Sequence, residues 1–191
     1  MTETMHTSVT HPYAVETHSA AETQALGHQL GSLVQAGHII ALRGDLGAGK
    51  TTFTQGLAAG MGITARVTSP TFTLVNEYQG RGGLQLIHVD VYRLADTAPE
   101  LDAATFGLEE ILDSAGEPTS LSGQASGAVV VIEWADRVAG MLTDDHLAVN
   151  LEATGDSPDH RRIVLTAHGP HSAALLQALA QRVPSLRPQI G

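Results

Sequence analysis

Gly44-Asp45-Leu46-Gly47-Ala48-Gly49-Lys50-Thr51 is a complete G-x-x-x-x-G-K-T run, and Lys50 is the only lysine in the chain. These residue types at these offsets bind phosphate. Glycines at 44, 47 and 49 permit positive φ and close approach of the backbone to phosphate oxygens, while loop N–H groups and the N-terminus of a following helix supply partial positive charge. Lys50 brings a full charge to the β and γ phosphates. Thr51, followed by Thr52, offers a hydroxyl to the magnesium that bridges them. The expected ligands are ATP or ADP with Mg2+. The N-K-x-D pattern that selects guanine is ruled out by the single lysine, which favours adenine.

Hydrolysis of a triphosphate also needs an acid at the C-terminal end of a neighbouring strand. Two are present: Asp90 ends the apolar run Leu84 to Val89, and Glu133 ends Val129 to Ile132. In open α/β sheets ligands sit outside the carboxyl ends of the strands, so both acids are expected to face the crevice that holds Thr51. Ser69-Pro70-Thr71-Phe72-Thr73 stands where a nucleotide-sensing loop would follow the phosphate-loop helix, with a proline-broken strand entry as the alternative reading. Trp134, the sole tryptophan, either stacks near the nucleotide or packs the edge of the core. Arg93 and Arg137 are candidate charge stabilisers, although solvated arginine is the favoured reading. The ten histidines form no H-E-x-x-H or similar pair, so no dedicated transition-metal site is expected.

These groups must be positioned by strands and helices. His38 to Arg43 is an apolar run that feeds the loop as a strand, and Thr51 to Ala59 is the helix that leaves it. Before them, Ser19 and Glu22 form an S-x-x-E capping box for a helix ending near Gly37. Thr71 to Tyr78 and Leu84 to Tyr92 suggest a hairpin around Gly80-Arg81-Gly82-Gly83. Two short helical patterns flank Gly107 between Pro99 and Asp113. Ala128 to Ile132 has the continuous β-branched character of a strand buried on both faces. His146 to Thr154 and Arg161 to Ala167 are expected as strands, Asp136 to Leu142 and His171 to Val183 as helices. The division expected is a flexible lead-in over 1–12, one domain over 13–183 with a surface insertion at 114–127, and a tail over 184–191. The fold class is α/β, a single-domain P-loop NTPase with a central mixed, mostly parallel sheet flanked by helices.

A net charge of −10, from 20 acidic and 10 basic residues, argues against direct electrostatic binding to nucleic acid, DNA or RNA. Zero cysteines excludes disulfides and thiolate chemistry. No apolar run reaches membrane-spanning length, and Met1 to His11 lacks a signal pattern, which points to the cytoplasm and to no membrane partner.

Four segments together resemble one family. Gly44 to Thr52, Ser69 to Tyr78, His88-Val89-Asp90-Val91-Tyr92-Arg93-Leu94 and Ile132-Glu133-Trp134-Ala135 are similar, in order and spacing, to the signatures of TsaE (also called YjeE), the ATPase of bacterial tRNA threonylcarbamoyladenosine (t6A) synthesis. The similarity runs from about Thr17 to His168. It implies a small ATPase that works with TsaD and TsaB partners and meets tRNA only through them. By position it gives Lys50 to the phosphates, Thr51 and Glu133 to magnesium, Asp90 to hydrolysis and Thr71 to a switch-like loop. The sequence departs from the family at its N-terminal extension, at 114–127 and after Gly169. Two other classes compete: a small-molecule kinase, which needs an arginine-rich lid that nine scattered arginines do not suggest, and a nucleotide-sensing module without hydrolysis.

Overall fold

The computed structural model describes residues 12–94, 98–115, 127–155 and 157–189. An eight-stranded sheet runs in the order β3-β4-β5-β2-β6-β7-β1-β8. Its strands are β1 Tyr13–Thr17, β2 Ile39–Arg43, β3 Val75–Gln79, β4 Gln85–Asp90, β5 Ala128–Glu133, β6 Leu147–Ala153, β7 Arg161–Ala167 and β8 Arg187–Pro188. The middle is parallel, through β4 with β5, β5 with β2 and β2 with β6. The remaining pairings are antiparallel and lie at the two edges. The sheet is thus mixed as expected, but its parallel part is confined to four strands. Short connections such as Gly80 to Leu84 can only return a strand antiparallel, whereas the parallel neighbours are joined through helices.

Side-chain alternation divides the core in two. Ile40, Leu42, Leu86, Val129 and Val131 face α1 (Ala20–Gly31), α2 (Lys50–Gly60) and α5 (Pro170–Arg182). Ile39, Ala41, Val89, Val130 and Ile132 face α3 (Pro99–Thr105), α4 (Leu108–Ser114) and a 3-10 segment at Ala135–Met141. β5 is buried at all six positions because helices cover both of its faces. Among the described residues no helix is long and apolar enough to cross a membrane.

Several boundaries differ from expectation. β1 has no counterpart in the sequence reading: five residues without clear alternation become a strand only because β7 pairs with them along their whole length. The segment expected as a tail returns to the sheet, with Leu186 buried and Arg187–Pro188 paired to β1. Residues 1–11 of the expected lead-in, and 116–126 of the expected insertion, lie outside the described residues. Helix α1 starts at its expected cap, where the Glu22 N–H donates to Ser19 Oγ, but the Glu22 carboxylate accepts from the His18 N–H rather than from that of Ser19.

The same helix ends at Gly31, short of Gly37, and Arg81 meets the carbonyls left open there. Its guanidinium donates to the carbonyls of Gly31, Ser32 and Val34 and to that of Gly60 at the end of α2. One side chain thereby caps the last turns of two helices, whose carbonyls have no intrahelical partner. Arg81→Ala is expected to lower stability by about 2 kcal/mol, since these charge-assisted bonds are partly open to water. Arg81→Lys should recover only part, lacking the fork. Urea denaturation checks this, and an unchanged midpoint for Arg81→Ala would refute it.

Candidate active site

The phosphate-loop strand, β2, lies between β5 and β6, so the loop after Arg43 emerges at the C-terminal edge of the parallel strands. Gly44, Gly47 and Gly49 all adopt positive φ, at 133°, 77° and 102°. At Gly44 the restriction is also steric, because a Cβ would lie 2.3 Å from the Leu151 carbonyl oxygen. Gly49 occupies the N-cap of α2 and has no side chain to bond the first-turn N–H groups, which leaves those donors for a ligand.

Lys50 is buried, and its ammonium donates to the carbonyls of Gly44 at 2.6 Å and Asp45 at 2.9 Å. It also lies 3.6 Å from the centre of the Trp134 ring, within cation–π range. Burial lowers its pKa, while the carboxylates of Glu133 and Asp90 oppose the shift.

Register explains how the two acids meet the loop. Asp90 pairs with Glu133 across β4 and β5, and Glu133 pairs with Leu42 across β5 and β2. Asp90 and Glu133 extend the same alternating set as Leu86, Val129 and Val131, on the face that carries α2. The Thr51 hydroxyl donates to Glu133 Oε2 at 3.0 Å. Asp90 Oδ2 accepts from the hydroxyls of Thr71, at 2.8 Å, and Ser69, and its Oδ1 accepts from the Tyr92 N–H at 2.9 Å. Both acids are almost fully buried.

These groups line a cleft of about 360 Å3. Of the expected site residues, Leu46, Gly47, Gly49, Lys50, Thr51, Thr52, Thr71, Asp90, Glu133 and Trp134 border it. Gly44, Asp45 and Ala48 stand behind, around a recess shared with Asn150 to Ala153. Trp134 combines both sequence readings: its ring borders the cleft and also packs against the second core cluster. Its backbone sits in the left-handed region at φ 63°, which turns the chain out of β5 into the 3-10 segment. Arg93 and Arg137 do not border the cleft; Arg93 lies over Phe72, and Arg137 donates to the Leu94 carbonyl.

Thr51, Glu133 and Asp90 present only hard oxygen donors, which suit magnesium. Among the described residues no group of three or more His, Cys, Asp or Glu side chains is placed to hold a metal. A hydroxyl with one or two carboxylates fits an ion that takes its other ligands from phosphate and water.

Three participants were given no role from the sequence. Arg161, at the start of β7, donates from Nε to the Ala48 carbonyl and from Nη2 to that of Gly47, holding the loop from outside. Tyr92 borders the cleft, its ring tilted against Trp134. His88 is fully buried beside Glu133. His88 and Tyr92 stand in the family-like segment 88–94, and His88 is also a polar residue where alternation along β4 calls for an apolar one.

The family model described as threonylcarbamoyl adenosine biosynthesis protein TsaE matches residues 17–163. The chain belongs to the TsaE family. The TsaE of Bacillus subtilis is 38% identical over 160 residues, covering 84% of this chain and 89% of that protein. The TsaE of Streptomyces coelicolor is 38% identical over 147 residues, covering 75% and 89%. A crystal structure of Bacillus subtilis YdiB superimposes with a TM-score of 0.68 at 33% identity, over 90% of this chain and 95% of that one. TsaE membership assigns the chain to tRNA threonylcarbamoyladenosine biosynthesis, and the matched span contains all four motifs.

Proposed function

We propose that this TsaE-family chain binds ATP with Mg2+ in the cleft and hydrolyses it in support of t6A formation on tRNA, together with TsaD-like and TsaB-like partner proteins. The observation that carries the reading is the meeting of Thr51 with Glu133 at the N-terminus of α2, with Asp90 in the same cleft. The loop and α2 bind the phosphates, and Lys50 neutralises charge on the β and γ groups. Thr51 and Glu133 hold magnesium. Magnesium held there would supply electrostatic stabilisation for charge developing on the transferred phosphoryl group. Asp90, in the same cleft, serves hydrolysis. Because Asp90 also accepts from Ser69 and Thr71, a change in what it binds changes how that loop is held, which makes 69–73 the element that reports nucleotide state. The acidic chain is recruited through its partners, in the cytoplasm, and reaches tRNA only indirectly.

Glu133→Gln and Asp90→Asn are each expected to cut magnesium-dependent phosphate release at least roughly tenfold, with a smaller effect on nucleotide binding. Complex formation with the partners should differ between a non-hydrolysable ATP analogue and nucleotide-free protein, and Thr71→Ala should shrink that difference. Parent-like hydrolysis in both acid variants would refute the site. Tight, salt-sensitive binding to free tRNA with no affinity for the partners would refute the role.

A further inference from the structure

We infer that His88 is a positioning residue that fixes the Glu133 carboxylate for magnesium, an inference that rests on the proposed nucleotide site. His88 lies on β4 two residues before Asp90, so both side chains emerge on the α2 face. Its ring is fully buried, and Nε2 lies 2.8 Å from Glu133 Oε1. The other oxygen of the same carboxylate accepts from Thr51. A carboxylate can only accept, so Nε2 carries the hydrogen and donates. Nδ1 is buried and has no hydrogen-bond partner among the described residues, so Nε2 is the ring nitrogen through which His88 engages the fold.

A buried polar ring in a sheet face otherwise made of Leu86, Val129 and Val131 needs a compensating role, because apolar packing would fill that space without desolvating a ring nitrogen. The Nε2–H bond provides one. It occupies Oε1 and leaves Oε2 turned to Thr51 at the cleft. A carboxylate held at Oε1 from the interior stays oriented when the Thr51 hydroxyl turns to the metal, whereas one held by Thr51 alone would then have to be ordered anew. Partners that orient a ligand in this way typically alter metal affinity or activity by about 10–100-fold when removed.

The test compares His88→Gln, His88→Asn and His88→Leu. The glutamine amide nitrogen reaches about as far along the side chain as Nε2, whereas the asparagine nitrogen stops near the position of Nδ1. ATP affinity is measured by calorimetry in excess Mg2+ and again in EDTA, with thermal unfolding of each variant alongside. Leucine and asparagine should lose roughly tenfold of the magnesium-dependent gain in affinity while affinity in EDTA stays at the parent value. Glutamine should restore the gain to within about threefold of the parent, by keeping the same donor. A full magnesium gain in His88→Leu would overturn the inference. Equal losses in glutamine and asparagine, or losses that appear equally in EDTA, would also overturn it, by showing that His88 only fills space. Failure of the parent to bind ATP in either condition would instead remove the nucleotide site on which the inference stands.

Discussion

Lys50→Ala is expected to abolish ATP hydrolysis, and Lys50→Arg is expected not to restore it. The ammonium is enclosed by the Gly44 and Asp45 carbonyls at 2.6 and 2.9 Å and by the Trp134 ring at 3.6 Å. That enclosure fits a compact cation on a flexible stem. A guanidinium is planar and wider, and its rigid fork cannot meet two loop carbonyls and a ring face in the same volume. Loss of one preorganised charge at the site of transition-state charge is worth about 10²–10³ in rate, and the chain holds no second lysine to replace it. Phosphate release with partner proteins present is the measurement, with circular dichroism to confirm folding. Near-normal turnover in either variant would contradict the proposed chemistry.

Gly31→Ala is expected to destabilise the fold by roughly 3 kcal/mol, although Gly31 lies in a helix where alanine is the better helix former by about 1 kcal/mol. Helices α1 and α2 touch backbone to backbone through Gly27 and Gly31 on one and Gly56 and Gly60 on the other. A Cβ at Gly31 would stand 2.0 Å from the Leu57 carbonyl oxygen, and one at Gly56 would stand 2.1 Å from that of Gln24. Neither neighbour is a flexible side-chain tip, so a helix must move, and overpacking outweighs propensity. A loss of this size lowers Tm by about 6–12 °C in a domain of this length. Since α2 begins at Lys50, the displacement also shifts Lys50 and Thr51 away from Glu133. Thermal unfolding of Gly31→Ala and Gly56→Ala decides between the two effects. A rise in Tm would show that propensity prevails and that the helices are looser than described.

Thr51 and Glu133 illustrate how far the sequence could be read. That Thr51 follows the loop lysine, and that Glu133 and Asp90 end apolar runs, are local facts. Their meeting is not local: Thr51 and Glu133 are 82 positions apart, and their bond depends on β5 lying between β4 and β2. The family resemblance anticipated the meeting, and register accounts for it physically.

Local chemistry was therefore written in the sequence: the glycines of the loop, the cap at Ser19, the five apolar positions Ala128 to Ile132 of β5 and the helical patterns on either side of Gly107. Each is set by neighbours within a few residues, through backbone freedom, a single hydrogen bond or side-chain periodicity. Tertiary structure alone decided that Tyr13–Thr17 and Arg187–Pro188 become edge strands, that Arg81 caps two helices, and that Arg161 braces the loop from 113 positions away. Edge pairing, helix capping by a distant arginine and buried hydrogen bonds all depend on which backbone groups the fold brings within reach, and no spacing along the chain encodes that reach.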